Sequence, residues 1–493
     1  MIILGINAYH ADASAAILVD GKLVAAAEEE RFRRVKHWAG FPAEAIRYCL
    51  AEAGVAIGQV DHVAISRDPR AHLFKKAWFA LTHRPNPAYL IDRLRNRSRV
   101  GDILGRLPPI SNLQSPNLHH VEHHRAHMAS AFFVSPFEEA AVASIDAMGD
   151  FASAMVGRGR GERLEIGDNV LFPHSLGFLY TAGTQYLGFS KYGDEYKVMG
   201  LAAYAEPDYL DAFRRMIRRE KDGTFALNLD YFRHHRDGVA MSWEGGEPVI
   251  GPLWSAEWER LLGPVRKPGE EITPRHQAIA ASLQAIFEEV YFGLLNALHE
   301  RTGLTALCLA GGCAMNSVAN GKIFDRTPFR EVYIQSAAGD AGTAIGAAFS
   351  VWHERLGRPR SFIMEHSYWG PRFTDADVRG ALAARKIAAV DIRDEAELCA
   401  KTARAIADGK IVGWFQGRME WGPRALGNRS ILADPRRAEM KELLNARIKR
   451  REPFRPFAPS VLVEAVGGYF EKSYPDPFML KVYTIKKEQR DLI

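Results

Sequence analysis

His123 and His127 stand four residues apart in the run His123-His124-Arg125-Ala126-His127. On a helix, that spacing puts both imidazoles on one face a turn apart, where they can hold a single cation. The apolar residues 128–134 that follow suit a helix, and Pro136 marks its stop. Far along the chain, Ser336-Ala337-Ala338-Gly339-Asp340-Ala341-Gly342 is a glycine-rich turn opening an alanine-rich helix, and it carries one carboxylate, Asp340. Two imidazoles and a carboxylate form a partly filled metal shell, with positions open for substrate or water; the set suits Fe(II), Mn(II) or Zn(II). Two surface histidines would show the same spacing, and the chain has 17 histidines. The rest of the sequence has to decide.

At 493 residues the chain is long enough for about two or three domains with substantial cores. A net charge of +5 demands no nucleic-acid partner and is equally compatible with anionic small molecules. Cys49, Cys308, Cys313 and Cys399 show no paired metal-ligand spacing, and so few argue against a disulfide framework. No apolar run reaches membrane-spanning length, and the first residues read as a strand, not a signal peptide. A cytoplasmic α/β enzyme is expected, with no membrane partner.

Ile2–Asn7 and residues 15–19 read as strands, and Asp20-Gly21 as a hairpin turn into a third strand over 23–27. Residues 28–34, Glu-Glu-Glu-Arg-Phe-Arg-Arg, read as a solvated helix face. Residues 71–107 read as a helical insertion with an exposed basic side. Further strands are expected over 140–145, ending at Asp146; over 305–310, breaking into Gly311-Gly312; and over 331–335, breaking into the Asp340 turn. Helices alternate with them, one over 275–298. In such α/β patterns the glycine turns at strand ends are where ligands bind. A second unit follows the Gly-, Pro- and Arg-rich residues 352–371. There Asp394 and Glu397 suit a capping box for a helix to Ala407, and Asp408-Gly409 turns into a strand over 410–415.

Five stretches carry chemistry. Residues 5–14 form a strand ending in a small-residue turn with His10, Asp12 and Ser14, suited to anion binding and proton transfer or simply a well-capped turn. In residues 309–317, Gly311 and Gly312 precede a helix start with Asn316; the turn admits a phosphate or ribose, or is only a tight connection. Lys197, amid apolar neighbours, suits a nucleotide phosphate or an ion pair with Glu195. Residues 421–430 and 449–459 interleave Arg424, Lys449, Arg451 and Arg455 with Trp421, Phe454 and prolines. Such restricted backbones pre-aim guanidinium forks at a small oxyanion, which a solvated basic face would not require.

Together these motifs resemble the O-carbamoyltransferase family of nodulation-factor and antibiotic biosynthesis, over essentially the whole chain. The most specific stretches are 421–430 and 451–459, then 195–202, then the histidine pair with Gly311-Gly312. The resemblance implies an α/β fold in two parts. Residues 1–358 would be a metal- and nucleotide-binding carbamoyl-transfer domain with actin- or sugar-kinase-like duplicated RNase H-like lobes. Residues 375–493 would be a smaller YrdC-like domain that makes carbamoyl-adenylate from carbamoyl phosphate and ATP, with Mg. It further implies His123, His127 and Asp340 as ligands of a metal, usually iron, and Arg424, Lys449 and Arg455 as holders of carbamoyl phosphate or the adenylate. Lys197, Gly311, Gly312 and Asn316 would face the nucleotide, and His10 with Asp12 the acceptor, with His10 as candidate general base. The acceptor would be a hydroxyl-bearing small molecule; no nucleic acid is expected. Two departures stand out. Ala11 separates His10 from Asp12 where many members have His-Asp, and members continue past the point equivalent to Ile493, so the C-terminal unit is expected to be short. The rival readings are an actin-like ATPase or kinase, a tRNA-modifying enzyme, and a nucleotide-binding protein without catalysis.

Overall fold

The computed structural model describes residues 1–83, 117–239, 241–242 and 244–492. Within the expected insertion, Leu73–His83 is a helix, and residues 84–107 lie outside the described residues. The chain starts as a meander. Strand β1 (Ile2–Asn7) pairs antiparallel with β2 (Ser14–Val19), and β2 with β3 (Lys22–Glu28). Asp20 (φ 48°) and Gly21 (φ 77°) make the turn, both in the left-handed region that a two-residue hairpin needs. β4 (His62–Ile65) lies parallel to β1 on its other side, and β5 (Leu118–His120) parallel to β4. The sheet order is therefore β3-β2-β1-β4-β5.

A second sheet repeats this plan. β6 (Glu139–Gly149), β7 (Ala152–Arg160) and β8 (Arg163–Leu171) run antiparallel, and β9 (Ala306–Ala310) and β10 (Glu331–Ile334) add in parallel beside β6. Its order is β8-β7-β6-β9-β10. Both sheets share one strand order and one set of directions, the duplicated RNase H-like arrangement that the sequence leads one to expect.

The helices His123–Phe132 and Thr343–Ser350 lie between the sheets, and their apolar residues share a core with β1, β2 and β6. Close approach sets their composition. A β-carbon at Gly346 would come within 1.8 Å of the Ala126 carbonyl oxygen, and one at Gly5 within 2.0 Å of the Ala344 oxygen. The helix Pro274–Thr302 has the length and apolarity of a membrane span, but 83% of its most apolar window is buried, and it forms the core of the second lobe. Pro274 at its first position and Gly303 (φ 66°) at its end fix its limits.

Two local expectations are corrected. Residues 28–34 are not a solvated helix: only Glu30–Arg33 is helical, and Glu28 and Glu29 are buried. Glu29 accepts the Ala45 N–H at 2.8 Å and pairs with Arg33 at 2.9 Å, while Glu28 accepts the Gly422 N–H at 2.8 Å. Carboxylates so engaged do not need water, and a charge pattern does not reveal such distant donors. The helix Glu395–Ala407 is capped by Asp394 alone, which accepts the Ala396 N–H; the reciprocal capping box belongs to Thr374 and Asp377, one helix earlier.

The C-terminal unit holds these two helices and a hairpin of Val412–Phe415 with Arg429–Leu432. It is anchored to the lobes by Trp421, fully buried with its indole N–H on Gln335 at 3.2 Å, and by Val482, whose N–H donates to Ser317 at 3.0 Å.

Candidate active site

The His123–Phe132 helix begins at Glu122, whose side chain accepts the Arg125 N–H at 2.7 Å. Held between two sheets, the helix buries all three of its histidines. His124 turns outward from the pair and is locked by Ser144 and the Ala152 carbonyl, at 2.8 and 2.9 Å. His123 and His127 face inward with their Nε2 atoms 3.1 Å apart. Asp340 Oδ1 lies 3.5 and 3.4 Å from those two nitrogens. A fourth donor, absent from the sequence reading, completes the group: Asp146 Oδ2, 3.4 and 3.8 Å from the same nitrogens.

The four donors fit a metal ion. Ligands about 2.1 Å from a tetrahedral centre lie about 3.4 Å from one another, close to the observed spacings. Without a cation the arrangement is poorly satisfied. The two nitrogens face each other, most N···O separations exceed hydrogen-bond length, and among the described residues the buried Asp340 Oδ1 has no partner. Burial alone would push His123 down, yet Asp146 and Asp340 hold it well above its ordinary value; His127 is lowered by burial and by His123.

The surroundings aim these ligands. Gly311 (φ 91°) lies so close to β6 that a β-carbon there would sit 2.1 Å from the Ile145 oxygen, and the next N–H, of Gly312, donates to Asp146 Oδ1 at 2.8 Å. The Gly311-Gly312 turn thus orients a candidate ligand. His10 Nδ1 bonds Asp340 Oδ2 at 2.7 Å, the support an outer imidazole gives a ligating carboxylate. Asp12 instead meets His37, at 2.7 Å. Asn316 caps a short helix and exchanges two hydrogen bonds with Gln284, which uses its whole amide. Lys197 is held at 3.0 Å by both Asp194 and Glu452, not by Glu195, which accepts the Thr181 hydroxyl.

The cations of the second unit do converge. Burial and the charge of Arg455 lower Arg424, whose Nε is buried without a partner among the described residues. Arg455 lies 3.9 Å over the Tyr196 ring, and Arg451 is lowered by burial and by Arg455. Lys449 lies in the field of Arg451. Glu452 lies 3.6 Å from Arg455 and also pairs with Lys197, so one carboxylate is shared among several cations, an arrangement that suits an anion.

The Carbamoyltransferase N-terminus family model matches residues 2–349, and the Carbamoyltransferase C-terminus model matches residues 403–493. The chain belongs to the carbamoyltransferase family. It is 43% identical, over 99% of its length and 80% of the relative's, to the uncharacterized protein sll1178 of Synechocystis. It is 37% identical to nodulation protein NolNO of Sinorhizobium fredii, over 99% of this chain and 68% of that one. Over 37% of its length it is 34% identical to 3'-hydroxymethylcephem-O-carbamoyltransferase of Streptomyces clavuligerus, covering 33% of that protein.

Proposed function

We propose that the chain is an O-carbamoyltransferase working in two steps: carbamoyl phosphate is activated with ATP as carbamoyl-adenylate at the Arg424, Lys449 and Arg455 cluster, and the carbamoyl group then passes, beside the His/Asp group, to a hydroxyl of a small-molecule acceptor. The observation that carries this reading is the presence, in one carbamoyltransferase chain, of two separate constellations, a buried His/His/Asp/Asp group and a cluster of arginines in which the buried Arg424 Nε has no partner among the described residues. The cephem relative's name describes transfer to a hydroxymethyl oxygen, the acceptor class proposed here.

A carbamoyl group bound to phosphate and then to AMP gains a good leaving group. The arginines would offset the charge of carbamoyl phosphate, and their planar forks match phosphate oxygens. His123, His127, Asp146 and Asp340 would hold a divalent metal, Fe(II) being the family's usual one. When bound, it supplies Lewis acidity toward oxygen anions. His10 keeps Asp340 aimed. The Gly311-Gly312 turn, bare of side chains, would lie against the nucleotide, with Asn316 and Lys197 shaping that wall. The acceptor hydroxyl also needs a proton acceptor in the N-terminal turn.

The test is pyrophosphate release from ATP, with and without carbamoyl phosphate and with no acceptor added. Release that requires carbamoyl phosphate is the expected result. ADP formation independent of carbamoyl phosphate would instead mark a kinase or ATPase.

A further inference from the structure

Arg424 Nε is buried without a partner among the described residues, so the backbone has to aim this side chain. Arg424 stands in a loop, residues 420–429, whose neck is closed by one carboxylate. Glu420 Oε1 accepts the Leu426, Asn428 and Arg429 N–H groups at 2.7, 2.8 and 3.3 Å, and Glu420 Oε2 pairs with the Arg429 side chain at 2.6 Å. Those bonds fix the far arm of the loop. The near arm, from Trp421 to Arg424, is held from outside the second unit.

Gly422 is the point of contact. Its N–H donates to Glu28 Oε1 at 2.8 Å, and its carbonyl accepts from Arg31 Nη2 at 2.8 Å. The N–H belongs to the peptide plane before Gly422 and the carbonyl to the plane after it, so the two bonds together fix both of its dihedral angles. They hold φ at 101°, open to glycine and strained for other residues. Pro423 follows, its φ set by its ring, and passes this orientation on to Arg424. Gly422 also lies against the turn that carries Asp340: a β-carbon there would come within 2.5 Å of the Ser336 carbonyl oxygen. Arg31 is itself set by Glu30 at 2.7 Å and by Glu28 at 3.4 Å. Burial raises Glu28, and neither Glu28 Oε2 nor Arg31 Nε has a partner among the described residues. An apolar pair would join the two units without burying charged groups so incompletely satisfied. Such a pair would offer the Gly422 peptide neither a donor nor an acceptor.

We infer that Glu28 and Arg31 are positioning residues for carbamoyl phosphate activation: by gripping the Gly422 peptide from both sides they aim Arg424 at the anion. This rests on the two-step reading above. The first lobe thereby completes the activation site of the second unit, through the backbone and without a contact to substrate.

The experiment follows carbamoyl-phosphate-dependent pyrophosphate release by the metal-loaded full chain, reading the KM for carbamoyl phosphate and the KM for ATP separately. Glu28→Leu removes the acceptor of the Gly422 N–H. It should raise the KM for carbamoyl phosphate about tenfold or more, with the KM for ATP and the retained metal unchanged. Glu28→Gln, whose amide oxygen still accepts that N–H, should recover most of the loss, whereas at a merely structural contact the apolar variant would do at least as well. Arg31→Met should act as Glu28→Leu does, and serves if that variant does not fold. An unchanged KM for carbamoyl phosphate, an equal rise in both KM values, or Glu28→Gln no better than Glu28→Leu would overturn the assignment. Wild-type protein with no carbamoyl-phosphate-dependent release would overturn the two-step reading itself, and this inference with it.

Discussion

The candidate metal group is assembled from four side chains whose visibility in the sequence differs. His123 and His127 are legible because a helix converts a spacing of four into a shared face. Asp340 is legible because a carboxylate in a glycine-rich turn at a strand end has few structural reasons to be there. Asp146 was read only as the end of a strand, since β6 runs on through it to Gly149 and its partner, the Gly312 N–H, lies 166 residues further on. We expect Asp146→Asn to lower retained metal at least about tenfold by elemental analysis of the purified protein, with little change in melting temperature. Arg424→Ala should leave metal content intact and abolish carbamoyl-phosphate-dependent pyrophosphate release; release at the wild-type rate would remove Arg424 from the anion site.

Strands bounded by Asp-Gly or Gly-Gly, such as β2, β3 and β9, lie nearly where the sequence places them, because those turns leave little choice, whereas β4, β5 and the helix Ala43–Glu52 are not read from it. What escaped were features set by distant partners, such as the burial of Glu28 and Glu29. Gly311 is the element-level point where fold and site meet. Gly311→Ala combines an unfavourable φ with a clash against Ile145, and should destabilise the protein by about 2 kcal/mol or more in denaturant titration, loosening metal binding with it. A separate prediction concerns pH. Burial lowers His234 to about 4, and its Nε2–H donates to the Pro173 carbonyl at 2.7 Å. The unfolded chain takes up this proton near pH 6.5 and the folded chain does not, so stability present above that pH is lost as pH falls toward 4. The full loss from this group is about 3 kcal/mol. His234→Gln should flatten the fall in stability between pH 7 and 4 by close to one proton's worth, measured by denaturation at each pH.

Across the whole molecule, the short helix Glu195–Leu201 ties the lobes to the second unit. Lys197 pairs with Glu452, Tyr196 lies under Arg455, and Gly200 lets Pro456 approach to 3.5 Å of its β-position. The sequence marked both ends of this contact as functional but gave no means of joining them, because ion pairs between distant segments leave no periodic trace. Glu452→Lys should therefore depress complete carbamoyl transfer, and adding Lys197→Glu should restore part of the loss, which a paired rate measurement on the single and double variants would read.

The proposed division of labour places activation at the arginine cluster and transfer beside the His/Asp group. The most direct test is pyrophosphate release by Asp340→Asn protein with carbamoyl phosphate present, followed together with formation of the carbamoylated acceptor. Pyrophosphate release at the wild-type rate with no carbamoylated product is the expected result. Loss of pyrophosphate release along with product would contradict it and place both steps at one site.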